Sequence, residues 1–173
     1  MTDILCEDTA CECAALLEQA ADLVLAVKGR TYRQDGPGPI GGLGEQVRHL
    51  TEFYQAFFAG LAQGRVDYDA RPRDARVEAD PAFAGEVLAE LGTQLRETPW
   101  SDTPIDVRMD DAGACFTRSS VARELRFLAS HTVHHFAIIR LLLGGDEARM
   151  PARFGVAPAT VRHRVACDEE AAD

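Results

Sequence analysis

Apolar residues recur at intervals of three and four in four separate stretches of this chain, and that period constrains the fold more than any motif does. Cys13, Leu16, Leu17, Ala20, Leu23, Val24 and Val27 form the first stripe; Thr9-Ala10-Cys11-Glu12 reads as a capping box at its start, and it closes near Gly29. Leu43, Val47, Leu50, Tyr54, Phe57 and Leu61 form the second, which ends at Gly64. Asp80-Pro81 joins a good N-cap to a proline at the first helical position and opens the third, with Phe83, Val87, Leu88, Leu91 and Leu95 inside and Thr98-Pro99 as the stop. The fourth stripe is the longest: Val121, Leu125, Leu128, Phe136, Ile139 and Leu142, capped by Ser119 or Ser120 and ended at Gly144-Gly145. The pattern predicts an all-α four-helix bundle. At 173 residues one domain over 1–173 is the expectation, since a chain of this size buries a full core without covalent staples.

The connectors are long. Residues 35–44, DGPGPIGGLG, hold five glycines and two prolines, a density that neither helix nor strand tolerates. Their Gly-x-Gly fragments follow no strand, so a phosphate cradle is a weak reading. Residues 65–80 mix charges of both signs around Pro72 and read as a solvated connector. Ile105, Val107 and Met109 alternate with charged residues, and the turn-like Asp111-Ala112-Gly113 leads into Ala114-Cys115-Phe116-Thr117, which predicts a short β-hairpin before the last helix. Beyond residue 145 an ordered tail with Phe154 and Val156 is expected, followed by a disordered acidic tip at about 167–173.

Charge and cysteine usage exclude several classes. With 18 Lys and Arg against 28 Asp and Glu the formal charge is −10, which argues against nucleic acid and acidic lipid as partners. No apolar run approaches the ~18 residues that span a bilayer, and the acidic N-terminal segment carries no secretory pattern, so a cytoplasmic location is expected. The five cysteines, Cys6, Cys11, Cys13, Cys115 and Cys167, are an odd number and form no disulfide framework. Cys11 and Cys13 are two apart on a helix and point to different faces, so C-x4-C-x-C is not a ready metal site.

Histidine placement carries the chemistry. Of five histidines, His131, His134 and His135 lie within about one turn of the fourth helix, His49 is on the second, and His163 is in the tail. At about 100° per residue, Glu124, His131, His135, Ile139 and Leu142 all fall within about 60° of Leu128, whereas His134 is about 120° away. Two imidazoles and a carboxylate in a core-facing stripe cost several kcal/mol unless they are paired or bind something. The His131-x-x-x-His135 spacing lets both rings hold one metal ion, and imidazole suits Zn, Fe, Ni or Cu better than Mg or Ca. The competing reading is a pair of core histidines donating to Glu124 and Ser120 without metal. His49 lies at the margin of its helix's apolar arc and fits either a third ligand or a partly exposed surface residue. A carboxylate-bridged di-iron bundle needs Glu-x-x-His on two helices, and Glu124 and His131 are seven apart.

The segments SSVARELRFLASHTVHHFAIIRLLL, IGGLGEQVRHLTEFYQAFFAGL and RFGVAPATVRHR together resemble the DinB-like (DinB/YfiT-like) metalloenzyme superfamily, most strongly in the H-x-x-H-H signature. The resemblance implies an up-down-down-up four-helix bundle, often dimeric, with one divalent transition metal (Zn, Ni or Fe) on His49, His131 and His135. Characterised branches include S-transferases that use low-molecular-weight thiols such as bacillithiol or mycothiol, a thiol-dependent maleylpyruvate isomerase, and the metal domain of ergothioneine-type sulfoxide synthases. A thiol or water activated on the metal and transferred to a small substrate is therefore the implied reaction, with the thiol as cosubstrate. Glu124 is expected to accept from an imidazole N–H as an outer partner of the site, or to act as a base. Related sequences carry further histidines near His49 where this chain has Gln46 and Phe53, so those two positions lose neighbours that could tune the metal. The alternative from a different class is a non-catalytic, stress-associated bundle that only binds metal or a partner.

Overall fold

The computed structural model describes residues 2–109, 115–144, 150, 154–157 and 160. Among them the chain forms, in order, α1 (Thr2–Ala26), α2 (Gly29–Tyr32), a 3-10 turn (Gly38–Ile40), α3 (Leu43–Leu61), β1 (Arg65–Asp67), α4 (Ala75–Ala79), α5 (Pro81–Glu97), β2 (Pro104–Arg108), β3 (Thr117–Ser120) and α6 (Val121–Leu142). The molecule is mostly helical with one small sheet, an arrangement compatible with a helical bundle. The four apolar stripes are the four long helices: α1 packs on α5 and α6, and α3 packs on the same two. Their shared core includes Leu17, Val24, Leu50, Tyr54, Phe57, Leu88, Leu125, Leu128 and Phe136. No helix among the described residues is long and apolar enough to cross a membrane.

Helix α1 starts earlier than its capping box predicts. Thr9 lies inside the helix, where its hydroxyl donates to the Leu5 carbonyl at 2.7 Å instead of capping an N-terminus. The buried stripe reaches back to Cys6 and Ala10, and the acidic side chains of Glu7 and Asp8 suit an N-terminal half of a helix. Extending the apolar face outweighs a local cap. The helix ends at Ala26, and a separate turn, α2, begins at Gly29 after Lys28 adopts an extended conformation.

Residues 65–80 are not a solvated connector. Val66 and Tyr68 are fully buried, and β1 joins the hairpin strand β2 in parallel, pairing Val66 with Val107, to give a sheet in the order β1-β2-β3. Alternation over three residues is too short to stand out among the surrounding charges, yet it puts two large apolar groups under the sheet. Downstream, Asp74 caps α4 by accepting from the Arg76 N–H at 3.0 Å. The expected hairpin is present, but its second strand, β3, lies later than Ala114–Thr117 and pairs Ser119 with Ile105 and Thr117 with Val107. Its expected turn lies outside the described residues.

Two predicted caps are observed. Asp80 accepts from the Ala82 and Phe83 N–H groups, and Ser120 accepts from the Arg123 N–H at 3.4 Å. Gly144 ends α6 with φ of 69°, a conformation that glycine adopts without steric cost. From the tail, Phe154 is buried and stacks on Phe136 with ring centres 4.1 Å apart. The acidic tip and His163 lie outside the described residues.

Candidate metal centre

Packing of α3 on α6 brings His49 from one helix against His131 and His135 from the other. One nitrogen from each of the three rings lies within 4.8 Å of the others, and ring centres are 5.3 Å apart for His49–His131, 4.7 Å for His49–His135 and 4.5 Å for His131–His135. His135 is buried, and His49 and His131 are half-buried. His134 is exposed and lies outside the cluster, as its angle on the helix predicts.

Hydrogen bonding within the cluster is incomplete. His135 Nδ1 is 2.6 Å from Gln46 Oε1, but His135 Nε2 and His131 Nε2 are buried with no hydrogen-bond partner. A buried polar atom without a partner ordinarily costs about 1–3 kcal/mol. Burial first, then the other histidines, pushes the His135 imidazole down to about 3. Burial, His49, His134 and Arg71 push His131 down to about 4. Both rings are therefore neutral at pH 7, the form that offers a lone pair to a metal.

Aromatic rings close the inner side. Phe53 lies 4.1 Å from His131 and 5.0 Å from His49 between ring centres, and Phe127 stacks at 5.5 Å on His131. The Arg71 guanidinium sits 4.3 Å over Phe53 and 3.8 Å from the buried Glu52 carboxylate. Glu52 also pairs with Arg48 at 2.8 Å, and Arg48 reaches Glu78 at 2.6 Å on α4. Helix α4 can sit so close because residue 44 is glycine: a Cβ there would lie 2.2 Å from the Glu78 carbonyl oxygen. On the outer side a cleft of about 360 Å³ opens onto His49 and His135, walled by Ile40, Ile138, Gln46 and Arg48.

Glu124 is fully buried, as its position in the stripe predicts, but its partners differ from those expected. Its carboxylate accepts from Tyr68 Oη at 3.1 Å, Ser119 Oγ at 2.6 Å and an Arg123 guanidinium N–H at 2.7 Å. Among the described residues no imidazole bonds to it. Ser119 lies on β3 and Tyr68 directly follows β1, and both positions depend on strand pairings that the local sequence does not encode. The same bonds remove the metal-free alternative in which the histidines donate to Glu124 and Ser120, since Ser120 caps α6.

Gln46 is not among the site residues expected from the sequence, yet it is the side chain that contacts His135 Nδ1. Gln46, His49 and Phe53 stand at i, i+3 and i+7, one face of α3, and that spacing was a usable signal.

No protein-family model matches the chain, and no solved structure matches it. Among curated proteins, FK506-binding protein 5 of Rhizopus delemar is 29% identical over 104 residues, which is 57% of this chain and 27% of that protein. The chain therefore spans only about a quarter of that relative's length, and the binding its name describes belongs to that protein.

Proposed function

We propose that this chain is a metal-dependent enzyme of the DinB-like type, an up-down-down-up four-helix bundle that holds one divalent transition metal, Zn, Ni or Fe, on His49, His131 and His135. The observation that carries the reading is the pair of buried Nε2 atoms without partners beside a third imidazole. Neutral imidazoles with free lone pairs are unfavourable in a dry core and favourable around a cation, so the donor set fits the group. The long stretch 62–80 between α3 and α5 supports the topology, because neighbouring parallel helices need an extended crossing.

When bound, such a metal lowers the pKa of a coordinated thiol or water and makes it a nucleophile near neutral pH. The chain's own residues do the rest. Phe53 and Phe127 keep water from the inner side of His131, and Gln46 orients His135. The cleft admits a small molecule between the apolar Ile40 and Ile138 and the charged Arg48, which suits a thiol cosubstrate and a small electrophile better than a polymer. A homodimer is the proposed assembly, as in many proteins that the sequence resembles.

The test is a turnover screen of metal-loaded protein with low-molecular-weight thiols and small electrophilic acceptors, beside hydrolysis of activated esters and amides. Activity that His131→Ala abolishes supports an enzyme. Stoichiometric metal without turnover on any of these substrates supports the non-catalytic metal-binding bundle instead.

A further inference from the structure

The side chain of Gln46 is held at both ends. Its amide nitrogen, Nε2, donates to the Ile40 carbonyl in the loop before α3, and its oxygen lies 2.6 Å from His135 Nδ1. A backbone carbonyl only accepts, so the end of the amide that faces Ile40 must be the NH2 group. The end that faces His135 is then an oxygen, which also only accepts. Nδ1 must therefore carry the hydrogen, and Nε2 must be the lone-pair nitrogen. The reverse assignment would set two oxygens against each other at Ile40, where neither can donate. Gln46 is itself buried, with 6% of its surface exposed, and its contact with His135 is buried as well.

We infer that Gln46 is a positioning residue that fixes the tautomer of His135, keeping Nδ1 protonated and Nε2 unprotonated, and that the loop carbonyl of Ile40 fixes Gln46 in turn. In water a neutral histidine favours the opposite tautomer, with the hydrogen on Nε2. A neutral ring has one donor nitrogen and one acceptor, and the bond made by one nitrogen decides the role of the other. The buried, unpartnered Nε2 of His135 is thus left as an acceptor among the three rings, with its lone pair available to a cation. The assignment of the tautomer stands on hydrogen bonding alone; its consequence for metal affinity rests on the function proposed above.

The tautomer can be read in metal-free, 15N-labelled protein at neutral pH from two-bond correlations between the imidazole ring protons and nitrogens. The wild type is expected to show His135 with hydrogen on Nδ1. Gln46→Leu, which removes the acceptor, should move His135 toward the Nε2–H form, and Gln46→Glu, which keeps one, should preserve the Nδ1–H form. A wild-type Nε2–H pattern, or an unchanged pattern in Gln46→Leu, overturns the inference. Should Gln46→Leu fail to fold, the wild-type spectrum still decides, because an Nε2–H pattern there overturns the inference. Zn2+ titration against a chelator is the second arm: Gln46→Leu should weaken binding about 10- to 100-fold at unchanged stoichiometry, and equal affinity would sever Gln46 from the site. If the tautomers behave as expected but the wild type binds no Zn2+, the metal reading falls and the role of Gln46 remains.

Discussion

At the residue scale, Glu124 and the two α6 histidines show how the same helical stripe supports different tasks. The carboxylate faces three donors from Tyr68, Ser119 and Arg123, so its burial is compensated within the fold. Replacing it by Gln turns one acceptor into a donor that meets a donor. Glu124→Gln should therefore lose about 1–3 kcal/mol of stability in urea unfolding, with metal affinity changed less than about threefold. A 10-fold loss of affinity without a loss of stability would return Glu124 to the metal's surroundings. The histidines respond to pH instead. Their native forms stay neutral to about 4 for His131 and about 3 for His135, while in the unfolded chain they protonate near 6.5. Below about 6.5 the unfolded state binds more protons than the native one, so stability falls as pH falls. The contribution is full above 6.5, and each pH unit between the folded and unfolded values is worth at most about 1.4 kcal/mol per group. Urea midpoints of the metal-free protein at pH 7 and pH 4.5 should show this drop, and it should shrink in a His131→Ala, His135→Ala double variant; an equal drop in both would place its origin elsewhere.

At the scale of elements, α3 carries His49 and is held from two sides by close backbone approaches. At its far end a Cβ on Gly60 would lie 2.3 Å from the Arg65 carbonyl oxygen and 2.7 Å from the Val66 Cα, so the helix and β1 can touch only because the side chain is absent. Gly60→Ala is expected to push β1 away and cost about 1–3 kcal/mol in thermal or urea unfolding, although alanine is the better helix former. A neutral or stabilising effect would mean that β1 yields freely. The elements that were legible in the sequence are those with enough turns to repeat a period: the stripes of α3, α5 and α6, and the caps Asp80 and Ser120. What could not be read is short or non-local. The buried Val66 of β1 and Tyr68 just after it depend on a parallel partner some forty residues later, at Asp106–Arg108, and no local pattern encodes that pairing. The inclusion of Thr9 in α1 is a case where a local signal was present and the longer apolar face prevailed. Angle alone places His131 and His135 on the inner stripe, His49 needs the resemblance, and the contacts of Gln46 depend on the Ile40 carbonyl and on α6 beyond its spacing from His49.

At the scale of the whole molecule, a cation held between α3 and α6 as proposed would link folding to ligand. These helices meet each other through the three histidines and through the Tyr54 to Thr132 hydroxyl contact at 2.9 Å, so whatever binds the rings only in the native state stabilises the pair. At a free metal concentration 100 times the dissociation constant the gain is about 2.7 kcal/mol. The acidic surface, with a formal charge of −10, adds a diffuse attraction for cations, which salt screens and a ligated site does not. Metal occupancy of the three-histidine site is measured by elemental analysis of protein purified without a polyhistidine tag and desalted at about 0.15 M salt. About one transition-metal ion per chain is expected in the wild type and in His134→Ala, and none in the His131→Ala, His135→Ala double variant. A folded wild type that takes up no Zn, Ni or Fe, or a double variant that keeps the wild-type stoichiometry, would contradict the proposed site.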